Sequence, residues 1–223
     1  MAERVRKTPA SRARSEADRH VRLGERLRAT RTARGLSLRE LARRLEVSPS
    51  LVSQIETGKI QPSVRTLYAI VSELGVSMDE IFGTGELELL QALQAVPKLA
   101  GAPSAPSGGS EGPVQRADSR RVIDLEAGVS WERLTTRNER EVEFLFTVYP
   151  PGGESSPADA LVRHTGREFG IVLNGRLGVT IGFEDYLLGP GDSVFFDSTV
   201  PHRLHNDGDE TVQAVWVVLG RQP

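Results

Sequence analysis

LSLRELARRLEVSPSLVSQIETGKIQPS, residues 36–63, is the stretch on which the fold turns. Three helix starts fall inside it, each marked by a serine. Ser37, with Glu40 three residues on, forms a capping box ahead of Leu38, Leu41, Ala42 and Leu45. Ser48 followed by Pro49 is an N-cap with proline at the first helical position, where a missing N–H is harmless, and the helix it opens runs through Glu56 to Gly58. Ser63 opens the next, with Val64, Leu67, Ile70, Val71 and Leu74 on its apolar stripe and Gly75 at its end. Upstream, Leu23, Leu27 and Thr30 share one face of a helix that stops near Gly35, which suits a left-handed cap. Downstream, Ser77 with Glu80 caps a short helix ending near Phe82. Five short helices over residues 23–83 predict a compact all-α domain.

Outward from this block the pattern changes twice. Residues 1–22 lack periodicity and carry seven basic residues between Arg4 and Arg22, which predicts a basic flexible arm. Residues 84–114 divide into TGELELLQALQAV (84–96), a short helix, and PKLAGAPSAPSGGSEGP (97–113), which has too little to bury and predicts a flexible linker. In residues 115–223, from about Arg120, the period becomes two. VSWERLTT, EVEFLFTVY, EFGIVLN, RLGVTIG, DSVFFD and TVQAVWVVL are short, β-branched or aromatic, and separated by turn residues; Asn174-Gly175 reads as a type I′ hairpin. Many short strands without helices predict a small barrel or sandwich. The fold class is therefore two-domain, α followed by all-β.

The 223 residues are 38% hydrophobic and 26% charged, as in an ordinary globular chain. A net charge of −2 hides an asymmetry: residues 1–83 hold 16 Lys/Arg against 10 Asp/Glu, and the remainder 12 against 20. A basic half beside an acidic half predicts that the first meets a polyanion and the second does not. The chain has no cysteine, which excludes disulfides, thiolate catalysis and cysteine metal sites. No apolar run reaches the roughly 18 residues of a membrane span, and the N-terminus has no apolar core of a signal peptide, so a cytoplasmic location is expected.

The helical block resembles the DNA-binding domain of lambda-type repressors and of xenobiotic-response-element regulators over residues 23–82. Ala42 stands where two helices cross closely, Val47 fills the turn, and Val52 and Ile55 face the core. The resemblance implies that the third helix enters the major groove. Pro49, Ser50, Ser53 and Gln54 would then face the bases, with Gln54 the best reader because an amide makes two hydrogen bonds to an adenine edge. Relatives often carry glutamine where this chain has Pro49. Arg39, Arg43, Thr57 and Lys59 are implied phosphate contacts, which position without specifying. Glu56 aligns with a glutamate that pairs with an arginine of the first helix, here Arg31, in a structural role.

The strand-rich part resembles the cupin family, a small double-stranded β-helix barrel, over residues 160–206. His164, Glu168 and Gly175 fit its first motif, with Val162 in place of a histidine; Gly191, His202 and Asn206 fit its second, with Asp197 and Thr199 in place of proline and glycine. The resemblance implies that His202 points inward and His205 outward. His164, Glu168 and His202 are then either polar groups of an effector pocket or a triad for a divalent metal. Trp131, Phe144, Phe146, Phe169 and Trp216 are expected in the core, and Arg163, Arg167 and Arg176 on the surface.

Together these resemblances imply a one-component transcriptional regulator, expected to be a repressor, whose partners are a two-fold operator in double-stranded DNA, a small-molecule effector and a second copy of the chain. No cofactor is expected, a divalent metal in the barrel being the exception, and no catalysis. Two other classes compete: a metal-dependent cupin enzyme with a DNA-binding appendage, and an antitoxin-type autoregulator.

Overall fold

The structure, a computed structural model, describes residues 9–82, 112–137, 139 and 141–220. Helices come first: α1 (Pro9–Ala33), α2 (Leu38–Arg44), α3 (Pro49–Glu56), α4 (Val64–Leu74) and α5 (Met78–Phe82). Ser37, Ser48 and Ser63 each lie in extended backbone and accept a hydrogen bond from the N–H three residues on, and Gly75 ends α4 in the left-handed region at φ 61°. Only half of the first capping box forms. Glu40 turns to the guanidinium groups of Arg43 and Arg44, since charge-assisted bonds outweigh one to a neutral amide. At Ser77 both arms of the box close.

The basic arm expected over residues 1–22 is corrected by α1, which starts at Pro9 and runs without a break to Ala33. Arginine is a good helix former, and proline is tolerated in a first turn, so polarity without an apolar stripe is no bar to a helix that finds tertiary anchors. Arg19 supplies one, bonding Asp124 at 2.6 Å. Residues 1–8, the helix expected at 84–96 and most of the expected linker, 97–111, lie outside the described residues.

The helical core is built from Leu23, Leu27, Leu41, Ala42, Val52, Ile55 and the stripe of α4. Gly24 sets how near α1 comes to α3: a Cβ there would stand 2.5 Å from the Ile55 carbonyl oxygen.

Nine strands follow among the described residues: β1 (Val122–Asp124), β2 (Ser130–Arg133), β3 (Val142–Tyr149), β4 (Arg167–Asn174), β5 (Leu177–Ile181), β6 (Glu184–Leu188), β7 (Ser193–Asp197), β8 (His202–His205) and β9 (Val212–Leu219). They form an antiparallel sheet in the order β1-β2-β3-β9-β4-β7 and a second in the order β6-β5-β8. Period-two alternation turns Glu143, Leu145, Thr147 and Tyr149 of β3, and Val212, Ala214, Trp216 and Val218 of β9, to the interior. Asn174-Gly175 is not a hairpin. β4 and β5 belong to different sheets, and Gly175 (φ 75°) makes the corner, where a Cβ would meet the Thr211 carbonyl oxygen at 2.9 Å. A corner and a hairpin ask for the same left-handed glycine, so local sequence does not separate them. The tight hairpin is Gly182-Phe183, between β5 and β6.

The two domains pack on one another. Besides Arg19–Asp124, the Glu126 N–H donates to the Pro62 carbonyl at 3.0 Å, the Arg65 N–H to the Ser155 carbonyl at 3.3 Å, and Arg121 Nη1 to the Phe82 carbonyl at 3.4 Å.

Candidate functional site

One candidate surface lies on α3. Val52 and Ile55 are buried and fix the roll of the helix, so that Pro49 and Ser50 are exposed and Ser53 and Gln54 half-exposed on the other side. A fork of two bonds fixes the end of α3: Arg31 Nε and Nη2 donate to the two Glu56 carboxylate oxygens at 2.6 and 2.9 Å, while Nη1 holds the Leu36 carbonyl at 2.7 Å. The hydrogen bond to Glu56 raises the Arg31 pKa against the opposing effect of burial. The expected structural pair is therefore present.

Around this helix Arg39 and Lys59 are exposed. Arg43 is exposed too, but its guanidinium is held by Glu40, whose carboxyl the hydrogen bonds from Arg43 and Arg44 lower to about 2. Thr57 turns its hydroxyl back to donate to the Ser53 carbonyl at 2.8 Å, which leaves the oxygen only as an acceptor and weakens it as a phosphate donor.

The second candidate site is inside the barrel. β4 carries Glu168, β8 carries His202, and the loop before β4 carries His164; their ligand atoms all lie within 4.8 Å of one another. Each histidine Nε2 stands 3.0 Å from Glu168 Oε1. Each Nδ1 lies 2.9 Å from a backbone carbonyl, that of Thr165 for His164 and that of Val200 for His202. A carbonyl only accepts, so Nδ1 carries the hydrogen in both rings, and a neutral ring then presents a lone pair at Nε2. Three acceptors thus converge with no hydrogen between them, unless a ring takes a second proton. Trp216 Nε1 donates to Glu168 Oε2 at 2.6 Å and fixes the carboxylate from behind. Burial opposes the charge on Glu168, yet the two imidazoles hold its carboxyl well below the usual range; burial likewise opposes the charge on His202, and Glu168 outweighs it and raises that pKa. Protons on the rings or a divalent cation among the three atoms both satisfy the cluster. Two imidazoles and one carboxylate, each ring anchored through its other nitrogen, fit such a cation.

The surrounding pocket is lined by Trp131, Leu145, Tyr149, Val162, Leu204 and Trp216 from the barrel, and by Val64 and Tyr68 from α4. Tyr68 stacks on His164 with ring centroids 4.6 Å apart and 28° between planes, lies 5.5 Å from the Trp131 ring, and donates its hydroxyl to Glu143 at 3.1 Å. Tyr68 was not among the residues that the sequence singles out; four places after Val64 it reads as one more core position of α4. Trp131 and Trp216 are buried as expected, but as pocket wall, whereas Phe144 is 37% exposed. Arg163, Arg167 and Arg176 are exposed as expected. His205 is half-buried against Gly178 rather than exposed, with Asp207 at 2.9 Å. Asn206 is fully committed to structure, donating to the Tyr149 and Glu210 carbonyls.

A capped domain of five described helices with an uncovered third helix, joined to a small barrel, is the architecture of a DNA-binding regulator. Residues 27–81 match the helix-turn-helix family model HTH_3, and residues 145–218 match the cupin domain model Cupin_2. The HTH-type transcriptional regulator PuuR of Escherichia coli is 29% identical over 185 residues, spanning 82% of this chain and 86% of that protein. The HTH-type transcriptional regulator DdrOP3 of Deinococcus deserti is 32% identical over 78 residues, 35% of this chain and 60% of that protein. In fold, the crystal structure of an HTH_3 family transcriptional regulator from Vibrio cholerae superposes with a TM-score of 0.60 at 20% identity, covering 92% of this chain and 98% of that one. This chain is a helix-turn-helix transcriptional regulator with a C-terminal cupin domain. Among the described residues no helix is long and apolar enough to cross a membrane.

Proposed function

We propose that the barrel is the sensor of this regulator: a small-molecule effector held at His164, Glu168 and His202 sets the affinity of α3 and its flanks for a two-fold operator. The observation that carries this is the convergence of His164 Nε2, His202 Nε2 and Glu168 Oε1, a buried polar site that a bound partner or added protons would satisfy. Pro49, Ser50, Ser53 and Gln54 read bases, and Arg39, Arg43 and Lys59 hold the backbone, while Thr57, its hydroxyl spent on the Ser53 carbonyl, is left out of that set. The regulator acts in the cytoplasm as a dimer, because one such helix reads only a few base pairs and two copies match a two-fold site. The outer face of the larger sheet supports that pairing: Ile171, Leu173 and Phe195 are 40%, 48% and 60% exposed there.

The same convergence favours a divalent metal in the triad. A metal would supply a Lewis acid to which an effector oxygen or nitrogen binds, while the chain holds both imidazole tautomers through the Thr165 and Val200 carbonyls and orients the carboxylate through Trp216. Metal analysis of the purified chain and of His164→Ala, Glu168→Ala and His202→Ala tests it. One metal per chain, lost in all three variants, is expected; no metal above background in wild type after loading would return the triad to a metal-free effector pocket. The enzyme reading shares this donor set, since two histidines and a carboxylate also serve non-haem iron oxygenases. Consumption of a bound small molecule by the metal-loaded chain would support it against the non-catalytic sensor.

A further inference from the structure

We infer that Tyr68, a residue of the DNA-binding domain, is the plug of the barrel pocket, and that pocket ligand and Tyr68 compete for one place, so that filling the pocket releases α4 from the barrel. This rests on the sensor reading above and adds how the signal leaves the barrel.

The geometry is that of a stopper. Tyr68 is 8% exposed, and His164, Trp131 and Glu143, which it stacks on, packs beside and hydrogen-bonds, belong to the barrel. With the ring in place the cavity is about 20 Å³. That is room for one water or one ion. Anything larger that reaches the triad has to move part of the wall, and the Tyr68 ring over His164 is the part that stacks on a triad residue from the other domain.

The displacement cannot stay local. Tyr68 and Val64 lie one helical turn apart on the side of α4 that faces the barrel. The rest of the stripe, Leu67, Ile70, Val71 and Leu74, is buried in the helical core at 2% exposure or less. A packed helix moves as a unit with the core it belongs to. Expelling Tyr68 therefore shifts the helical domain against the barrel, at a seam whose polar links include Arg19–Asp124, the two backbone bonds at Pro62 and Arg65, and Arg121 Nη1 on the Phe82 carbonyl. A ligand gains this shift only through its preference for the open state, and the work it does is the difference between its own contacts and those of Tyr68.

The chain supplies its own reporter, because its two tryptophans, Trp131 and Trp216, both line this pocket. The test uses the full chain, Tyr68→Ala and Tyr68→Phe, with acrylamide as quencher of tryptophan fluorescence and circular dichroism as the check that both variants are folded. Tyr68→Ala is expected to raise the quenching constant severalfold, while Tyr68→Phe keeps the ring in place and stays near wild type. Affinity for a duplex selected by the wild-type chain from random sequence is expected to change severalfold in Tyr68→Ala, mimicking the filled pocket. Equal quenching in wild type and folded Tyr68→Ala would overturn the plug. Raised quenching with unchanged duplex affinity would overturn the coupling to DNA. Neither readout uses an effector or a metal, so their outcome is separate from that of the sensor reading; if no effector is ever found, the plug still stands or falls on these numbers.

Discussion

Removing Glu56 tests how α3 is held. In Glu56→Ala the Arg31 guanidinium loses both bonds of its fork, at 2.6 and 2.9 Å, and remains in a place where its side chain is 10% exposed. Breaking a buried pair from one side costs about 3–5 kcal/mol, because the remaining charge is left without its partner. Arg31 keeps its bond to the Leu36 carbonyl at 2.7 Å and some contact with water, which places the loss near the lower end, about 3 kcal/mol. For a domain of some sixty residues, whose total stability is about 3–9 kcal/mol, that is at least a third of what there is. Urea titration of the full chain followed by helical ellipticity reads the effect, since among the described residues every α-helix belongs to the N-terminal domain. The double variant Arg31→Met/Glu56→Leu should recover most of the loss, because an apolar pair leaves no charge behind. A loss below about 1 kcal/mol in Glu56→Ala, the size expected of an exposed pair, would refute the burial argument.

Three further outcomes are expected. Gln54→Ala should relax specificity at one operator position by about 1–3 kcal/mol, measured on single-base operator variants; a uniform loss across variants would remove Gln54 as a base reader. Lys59→Ala should weaken all sequences alike and lower the slope of log affinity against log salt by about 1, and an unchanged slope would mean that Lys59 meets no phosphate. Gly170→Ala would place a Cβ 2.0 Å from the Trp216 ring, and Trp216 holds Glu168, so metal retention should fall although no ligand atom is altered; retention equal to wild type would show that Trp216 does not orient the carboxylate.

What the sequence makes legible here follows from how local each cause is. The four helices from α2 to α5 were readable because each opens on a serine whose hydroxyl meets an N–H three residues away, a cause contained in one turn of chain. The N-terminal extension of α1 was not, since its polarity imitates an arm and its anchor, Asp124, is 105 residues distant from Arg19. β6 escaped notice because Glu184, Asp185, Tyr186 and Leu187 are all exposed and so carry no apolar alternation. The cupin resemblance points to the triad as a set of residues, but the clash of three acceptors depends on which ring nitrogen faces a carbonyl, an arrangement that no local sequence pattern encodes. Tyr68 lay hidden for the opposite reason: a buried aromatic at helical spacing looks like ordinary core, and nothing local says that the core it enters is that of the other domain.

The measurement closest to the central claim is operator affinity of wild type and His202→Ala, each with and without the small-molecule fraction of cells that contain the regulator. His202 is buried in the barrel at 3% exposure and belongs to a different domain from α3, so it can act on DNA only through the equilibrium that an effector biases. Wild type is expected to change its affinity when the fraction is added, and His202→Ala to bind with nearly the same effector-free affinity and not respond. An equal response in both proteins would contradict the assignment of the sensor to this pocket.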